Sequence, residues 1–335
     1  MPDVWLSDLI LWLAQQVGTE LFVVKSILTL IVMCLICGTV GSLVVGNRMA
    51  FFSDAMAHCA FAGVALGFIS VLLTHGDKGR VAWLVPLVMV TFGVVVGVLM
   101  IYVRDRTGLA HDTVIGVFFA LALGFGAMFT KMVQKASRVN LETFLFGNLI
   151  FIPEADLLYL CAVLVLVVCV FLWRYNQLMF ASFNASLART RRINVTLNNY
   201  LFIILLALVV NLSIQAVGAL LINALLIVPA AAAANVSRNL RQMFWLTVAF
   251  CLASGAIGYG LSRTMTLSVG PMKDVEFGPS GVIVVVSVLL FFGSMLVVAV
   301  WNRFAPIFGG KQFRGFHNHG PDDSCGPDGS SGQCP

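Results

Sequence analysis

The sequence predicts an all-α polytopic membrane protein with about nine transmembrane helices, eight on the alternative count. Composition is the first reason. The 335 residues are 60% hydrophobic and 10% charged, with a mean hydropathy of +0.98, where a soluble domain carries about 25% charged residues. Spacing is the second: apolar runs of about 20 residues, the length that crosses a bilayer, recur along the chain. Charge placement is the third. Twenty Lys+Arg against fifteen Asp+Glu give a formal charge of +5, and the basic residues collect between the apolar runs, as in cytoplasmic loops of membrane proteins. No basic patch with interleaved aromatics is present, so nucleic acid is not an expected partner.

Taken in order, residues 4–17 read as a short amphipathic helix at the membrane surface, within an interfacial segment 1–20. No basic region, apolar core and small-residue cleavage site mark a signal peptide. Spans are expected at 22–46, 54–74, 81–103, 113–130 and 155–173, with Lys25 snorkelling from the first. The stretch 198–234 is too long for one span. It carries Asn211, Ser213, Gln215 and Gly218 in "NLSIQAVG", and divides into 198–212 and 216–234. Spans 242–262 and 280–301 follow, closing a membrane domain over 21–304. With the C-terminus inside, the inner segments hold Arg48, Arg104, Arg106, Arg174, Arg189, Arg191, Arg192, Arg238, Arg241, Arg303, Lys311 and Arg314, twelve in all. The outer segments hold seven: Lys78, Arg80, Lys131, Lys135, Arg138, Arg263 and Lys273. The N-terminus is then outside.

Two connections are long. Residues 131–154 contain "VNLETFLFGNLIF", too apolar for a free loop, and suggest a short re-entrant or interfacial helix with Glu142 on the outer face. Residues 174–197 contain "SFNASLARTRRINV", which reads equally as a solvated basic loop or as a docking element for a cytoplasmic partner. Gly63 with Gly67, Gly93 with Gly97, and the series Gly255, Gly258 and Gly260 are spaced for close helix approach. Six cysteines (Cys34, Cys37, Cys59, Cys161, Cys169 and Cys251) lie in apolar runs, where a thiol acts as a small hydrophobe.

The second span holds the candidate site. In "FFSDAMAHCAFAGVALGF", Asp54 and His58 lie four residues apart and share a helix face. That face continues through Ala50, Ala57, Ala62 and Ala65, which leave room around the pair. Ionisable groups in spans are costly and mark ion paths or cavities. A carboxylate oxygen and a neutral imidazole nitrogen suit zinc, while manganese prefers more oxygen. A structural reading stands beside this: Asp54 accepts a hydrogen bond from His58 and staples two helices, or Asp54 or Ser53 caps the helix start. Asp112, in "AHDTVIGVFF", caps the fourth span or reaches the same cavity beside His111. Asn211, Gln215 and Asn223 are read as breaking 198–234.

No Gly-x-x-x-x-Gly-Lys-Ser/Thr phosphate loop occurs, and neither a nucleophile elbow nor a His-Glu-x-x-His helix is present. The chain is therefore expected to be no enzyme. Energy for uphill movement comes from a partner or an ion gradient.

Five stretches in order resemble the membrane permease subunits of ABC-type zinc, manganese and iron importers. They are "SDAMAHCAFAGVALGF", "HDTVIGVFFALALGFG", "NLETFLFGNLI", "SFNASLARTRRINV" and "AVGALLINALLIVPAAAAAN". The resemblance implies a type II ABC importer-like bundle in the inner (cell) membrane. Its partners would be a cytoplasmic ATP-binding cassette ATPase, an extracytoplasmic metal-binding protein, a second copy of the chain and membrane lipid. It identifies Asp54 and His58 with the family's intramembrane metal pair and places Asp112 near the path. Residues 182–192 correspond to the coupling helix, with Ser182, Phe183, Asn184, Leu187, Ala188 and Arg189 on the ATPase. No tightly bound cofactor is implied, only a transported divalent metal, with zinc the first choice and manganese or iron the alternatives. A secondary metal or proton transporter and a non-transporting scaffold are the rival classes. The tail 305–335, rich in Gly, Pro and Ser, is expected to be disordered, while His317, His319, Cys325 and Cys334 make it a second metal-binding candidate.

Overall fold

A computed structural model describes residues 11–12, 15–16, 20–73, 78–136, 147, 154–183, 194–264, 266–269, 272–276 and 278–304. Nine helices among these are long and apolar enough to cross a membrane. In chain order they are α1 (Leu21–Gly46), α2 (Ala50–Leu73), α3 (Lys78–Thr107), α4 (His111–Ala136), α5 (Glu154–Phe183), α6 (Val195–Val217), α7 (Ala219–Val236), α8 (Leu240–Thr264) and α9 (Pro279–Phe304). The expected spans and their order hold, and the chain is a multi-pass integral membrane protein. Most helices overrun the apolar run by several residues, because polar residues continue the hydrogen-bonded ladder past the hydrocarbon edge. Helix α5 runs furthest, ten residues past position 173, and carries Arg174 over the Trp173 ring at 5.0 Å. Of the proposed surface helix 4–17, only Leu11, Trp12, Gln15 and Gln16 are described, all helical and exposed.

The break between α6 and α7 is narrower than the polar cluster suggested. Gly218 alone interrupts the helix, at φ 92° and ψ 155°. Asn211 stays inside α6, wholly buried, with its Nδ2 donating to Ala207 O at 2.6 Å, and Gln215 is exposed on the same helix. An amide that bonds one turn back needs no break, whereas a positive φ is left to glycine. Gly147 supports the break from outside: a Cβ there would collide with Val217 O. The connection between α8 and α9 holds an unexpected antiparallel hairpin, β1 (Thr266–Val269) and β2 (Met272–Glu276), pairing Thr266 with Glu276 and Val269 with Met272.

The helices assemble as two groups. In one, α2, α3, α4 and α6 pack together; in the other, α1, α7, α8 and α9. Helix α5 lies along α1 and α6. The glycine spacing sets several of these approaches. A Cβ at Gly63 would stand 2.9 Å from Met89 Cα, and one at Gly67 3.0 Å from Val85 Cα, so α2 and α3 meet backbone to backbone. Gly93 receives the Asn211 side chain, Gly97 faces Ile203 and Gly258 faces Ile283, while Gly260 has open space. Cys34, Cys37, Cys59 and Cys251 are buried free thiols.

Candidate metal-transit site

Helix α2 begins after a tight turn at Asn47–Arg48, with Arg48 at φ 55°. Four residues into it stands Asp54, with His58 one turn further. Neither hydroxyl nor carboxylate caps the helix start: Ser53 Oγ donates back to Ala50 O at 3.1 Å, and Asp54 faces across to α7. There Asn223 Nδ2 donates to Asp54 Oδ1 at 2.9 Å. Among the described residues no hydrogen bond joins Asp54 to His58. The His58 ring instead meets Phe119 of α4 edge-on, with centroids 4.9 Å apart and planes at 88°.

These three polar side chains line a cavity of about 560 Å³ between α2 and α7, on the seam between the two helix groups. Its other walls are small or apolar. Ala50 and Ala57 face Ala219 and Ala224, with Phe51, Leu220, Ile227 and Val228 around them. The expectation that small side chains leave room beside the pair holds for Ala50 and Ala57. Ala62 and Ala65 are fully buried elsewhere on α2. The mouth opens on the surface of the chain, where Phe51 is 67% and Leu220 41% exposed.

Asn223 is the residue the sequence reading misplaced, as a helix breaker. It lies within α7, and its Oδ1 is buried without a protein partner. The signal was present, because any polar amide inside an apolar span is a candidate for an ion path. Its position opposite Asp54 was not, since 168 residues separate the two.

The cavity therefore offers a carboxylate, an imidazole and an amide. No group of three or more His, Cys, Asp or Glu gathers around one point among the described residues. A structural zinc site takes four protein ligands. Two are too few to trap an ion permanently, which suits a site that must also release it.

The other proposed site residues fall elsewhere. Asp112 is exposed in the first turn of α4 and does not line the cavity. Its neighbour His111 lies under Arg104, whose Nη1 is 3.3 Å from both ring nitrogens. Arg104 also pairs with Asp105 through Nη2 at 2.7 Å. This cluster closes the turn between α3 and α4. Ser182 and Phe183 end α5, while Asn184, Leu187, Ala188, Arg189 and the tail residues His317, His319, Cys325 and Cys334 lie outside the described residues, as does Glu142.

Residues 20–298 match the ABC 3 transport family. The chain is similar to the manganese import system permease protein ScaB of Streptococcus gordonii, 31% identical over 276 residues, covering 82% of this chain and 91% of that protein. It is also similar to the high-affinity zinc uptake system membrane protein ZnuB of Haemophilus influenzae, 29% identical over 73% of this chain and 90% of that protein. Among solved structures, PsaBC from Streptococcus pneumoniae in complex with Fab shares the fold at a TM-score of 0.69, with 24% identity, 88% of this chain and 98% of that chain covered.

Proposed function

This chain belongs to the ABC 3 transport family, and from that premise we propose that it is the permease subunit of an ATP-driven importer of a divalent transition metal, zinc first and manganese second. The observation that carries the proposal is the seam cavity, where Asp54 and His58 of α2 face Asn223 of α7. A cavity with a few polar side chains at the junction of two helix groups can open to either side as the groups rock against each other. Asp54 supplies charge to draw a cation from water, and His58 supplies the borderline nitrogen that favours zinc over harder ions. The Asn223 amide adds oxygen, which keeps manganese in contention. Relatives named for manganese and for zinc match the chain about equally well.

The energy comes from a separate cytoplasmic ATPase that docks on 182–192. An extracytoplasmic metal-binding protein delivers the ion. A second copy of the chain meets the cavity mouth and completes the ligand set that these three side chains leave short. The direct test is metal uptake into proteoliposomes holding this chain with its ATPase subunit. ATP-dependent uptake of zinc or manganese that Asp54→Ala and His58→Ala each abolish is expected. Uptake that ignores ATP and follows a proton gradient would move the chain to the secondary transporters. ATP-driven uptake at the wild-type rate in both variants would remove the site assignment.

A further inference from the structure

Pro229 lies inside α7. Proline has no N–H, so the carbonyl one turn earlier, that of Leu225, loses its helical donor and is pushed outward by the ring. Within a membrane such a carbonyl must find a partner on a neighbouring helix. Here the partner is a thiol: Cys251 Sγ on α8 donates to Leu225 O at 3.7 Å. Both residues are wholly buried. Helix α1 closes the same junction. Its Cys34 is seated over Gly255, where a Cβ would come within 2.7 Å of the Cys34 sulfur. Two turns along, Gly41 lets α1 approach the next carbonyl, Leu226 O. Helix α7 is thus gripped from behind by α1 and α8, while its front carries Asn223, Ala224, Ile227 and Val228 on the cavity wall.

We propose that Cys251 is a positioning residue for the transit cavity: its thiol stands in for the missing Pro229 N–H and fixes the seating of α7 against α8 that holds Asn223 against Asp54. The proposal rests on the cavity being the metal path. A cysteine that merely fills volume would behave differently, since its replacement would not depend on hydrogen-bonding capacity or on what occupies position 229.

A double-variant cycle on uptake by the complete importer in proteoliposomes tests this, with zinc and manganese each supplied alone. Cys251→Ala is expected to raise the half-saturating metal concentration about 3- to 10-fold, the factor carried by one buried hydrogen bond. Cys251→Ser, which keeps a donor, should recover most of the loss. Pro229→Ala returns an N–H to Leu225 O, so adding Cys251→Ala to it should change nothing further. Additive losses in the double variant, or Cys251→Ser no better than Cys251→Ala, would overturn the proposal. The infrared S–H stretch, taken as wild type minus Cys251→Ala, reads the same bond without transport. A hydrogen-bonded band that moves to the free-thiol position in Pro229→Ala is expected; a free-thiol band already in wild type would overturn it. If wild type moves neither metal, the transport reading fails, and the infrared band still decides the thiol bond.

Discussion

Removing the Asn223 amide is the sharpest test of how the cavity holds metal. Its Nδ2 lies 2.9 Å from Asp54 Oδ1, a hydrogen bond to a carboxylate acceptor across the seam. Such bonds contribute about 1.5–3 kcal/mol. At about 1.4 kcal/mol per factor of ten, that corresponds to roughly 10- to 150-fold in an equilibrium constant. Losing the partner that orients a metal ligand costs about 10- to 100-fold in affinity, so two independent lines converge. Asn223→Leu keeps most of the volume and removes the donor, and the cavity of about 560 Å³ already has room for a changed side chain. The half-saturating metal concentration for ATP-driven uptake should therefore rise by about 10- to 100-fold. Thermal unfolding in detergent is the companion assay, because the same bond ties α2 to α7. Wild-type half-saturation with a lowered unfolding temperature would refute the argument, showing the amide to be a helix staple and nothing more.

Two further outcomes are expected. Gly63→Ala puts a Cβ 2.9 Å from Met89 Cα, backbone that cannot rotate away, and should lower stability by about 1–3 kcal/mol, read as the unfolding midpoint in detergent. Gly218→Ala forces an L side chain to φ 92° at a cost of about 1–3 kcal/mol. Because Gly218 starts the helix that carries Asn223, the same variant should also lose uptake, measured beside its unfolding curve.

Span number and order were legible because crossing a bilayer demands about 20 apolar residues with internally satisfied backbone, and that demand is local. The close approaches at Gly63, Gly67, Gly93 and Gly97 were legible for a similar reason, since small residues one turn apart flatten one helix face. The site was half legible. Asp54 and His58 announced themselves as charge and imidazole in an apolar helix, and four-residue spacing put them on one face. Other assignments were misread because they depended on what each side chain met. Asn211 donates its Nδ2 one turn back and breaks nothing, while Gly218 supplies the break by its positive φ. Asp112 shares a sequence motif with His111 but stays outside the cavity.

By itself the sequence determined a nine-span membrane bundle and a carboxylate–imidazole pair inside it, since helical periodicity and the cost of polar groups in hydrocarbon act within one helix. Tertiary structure alone decided what that pair faces. Asn223 meets Asp54, Phe119 meets His58, and Cys251 meets the carbonyl that Pro229 leaves bare. Each of these contacts joins different helices, and in a bilayer helix pairing is set by how whole faces fit together, which no single helix encodes.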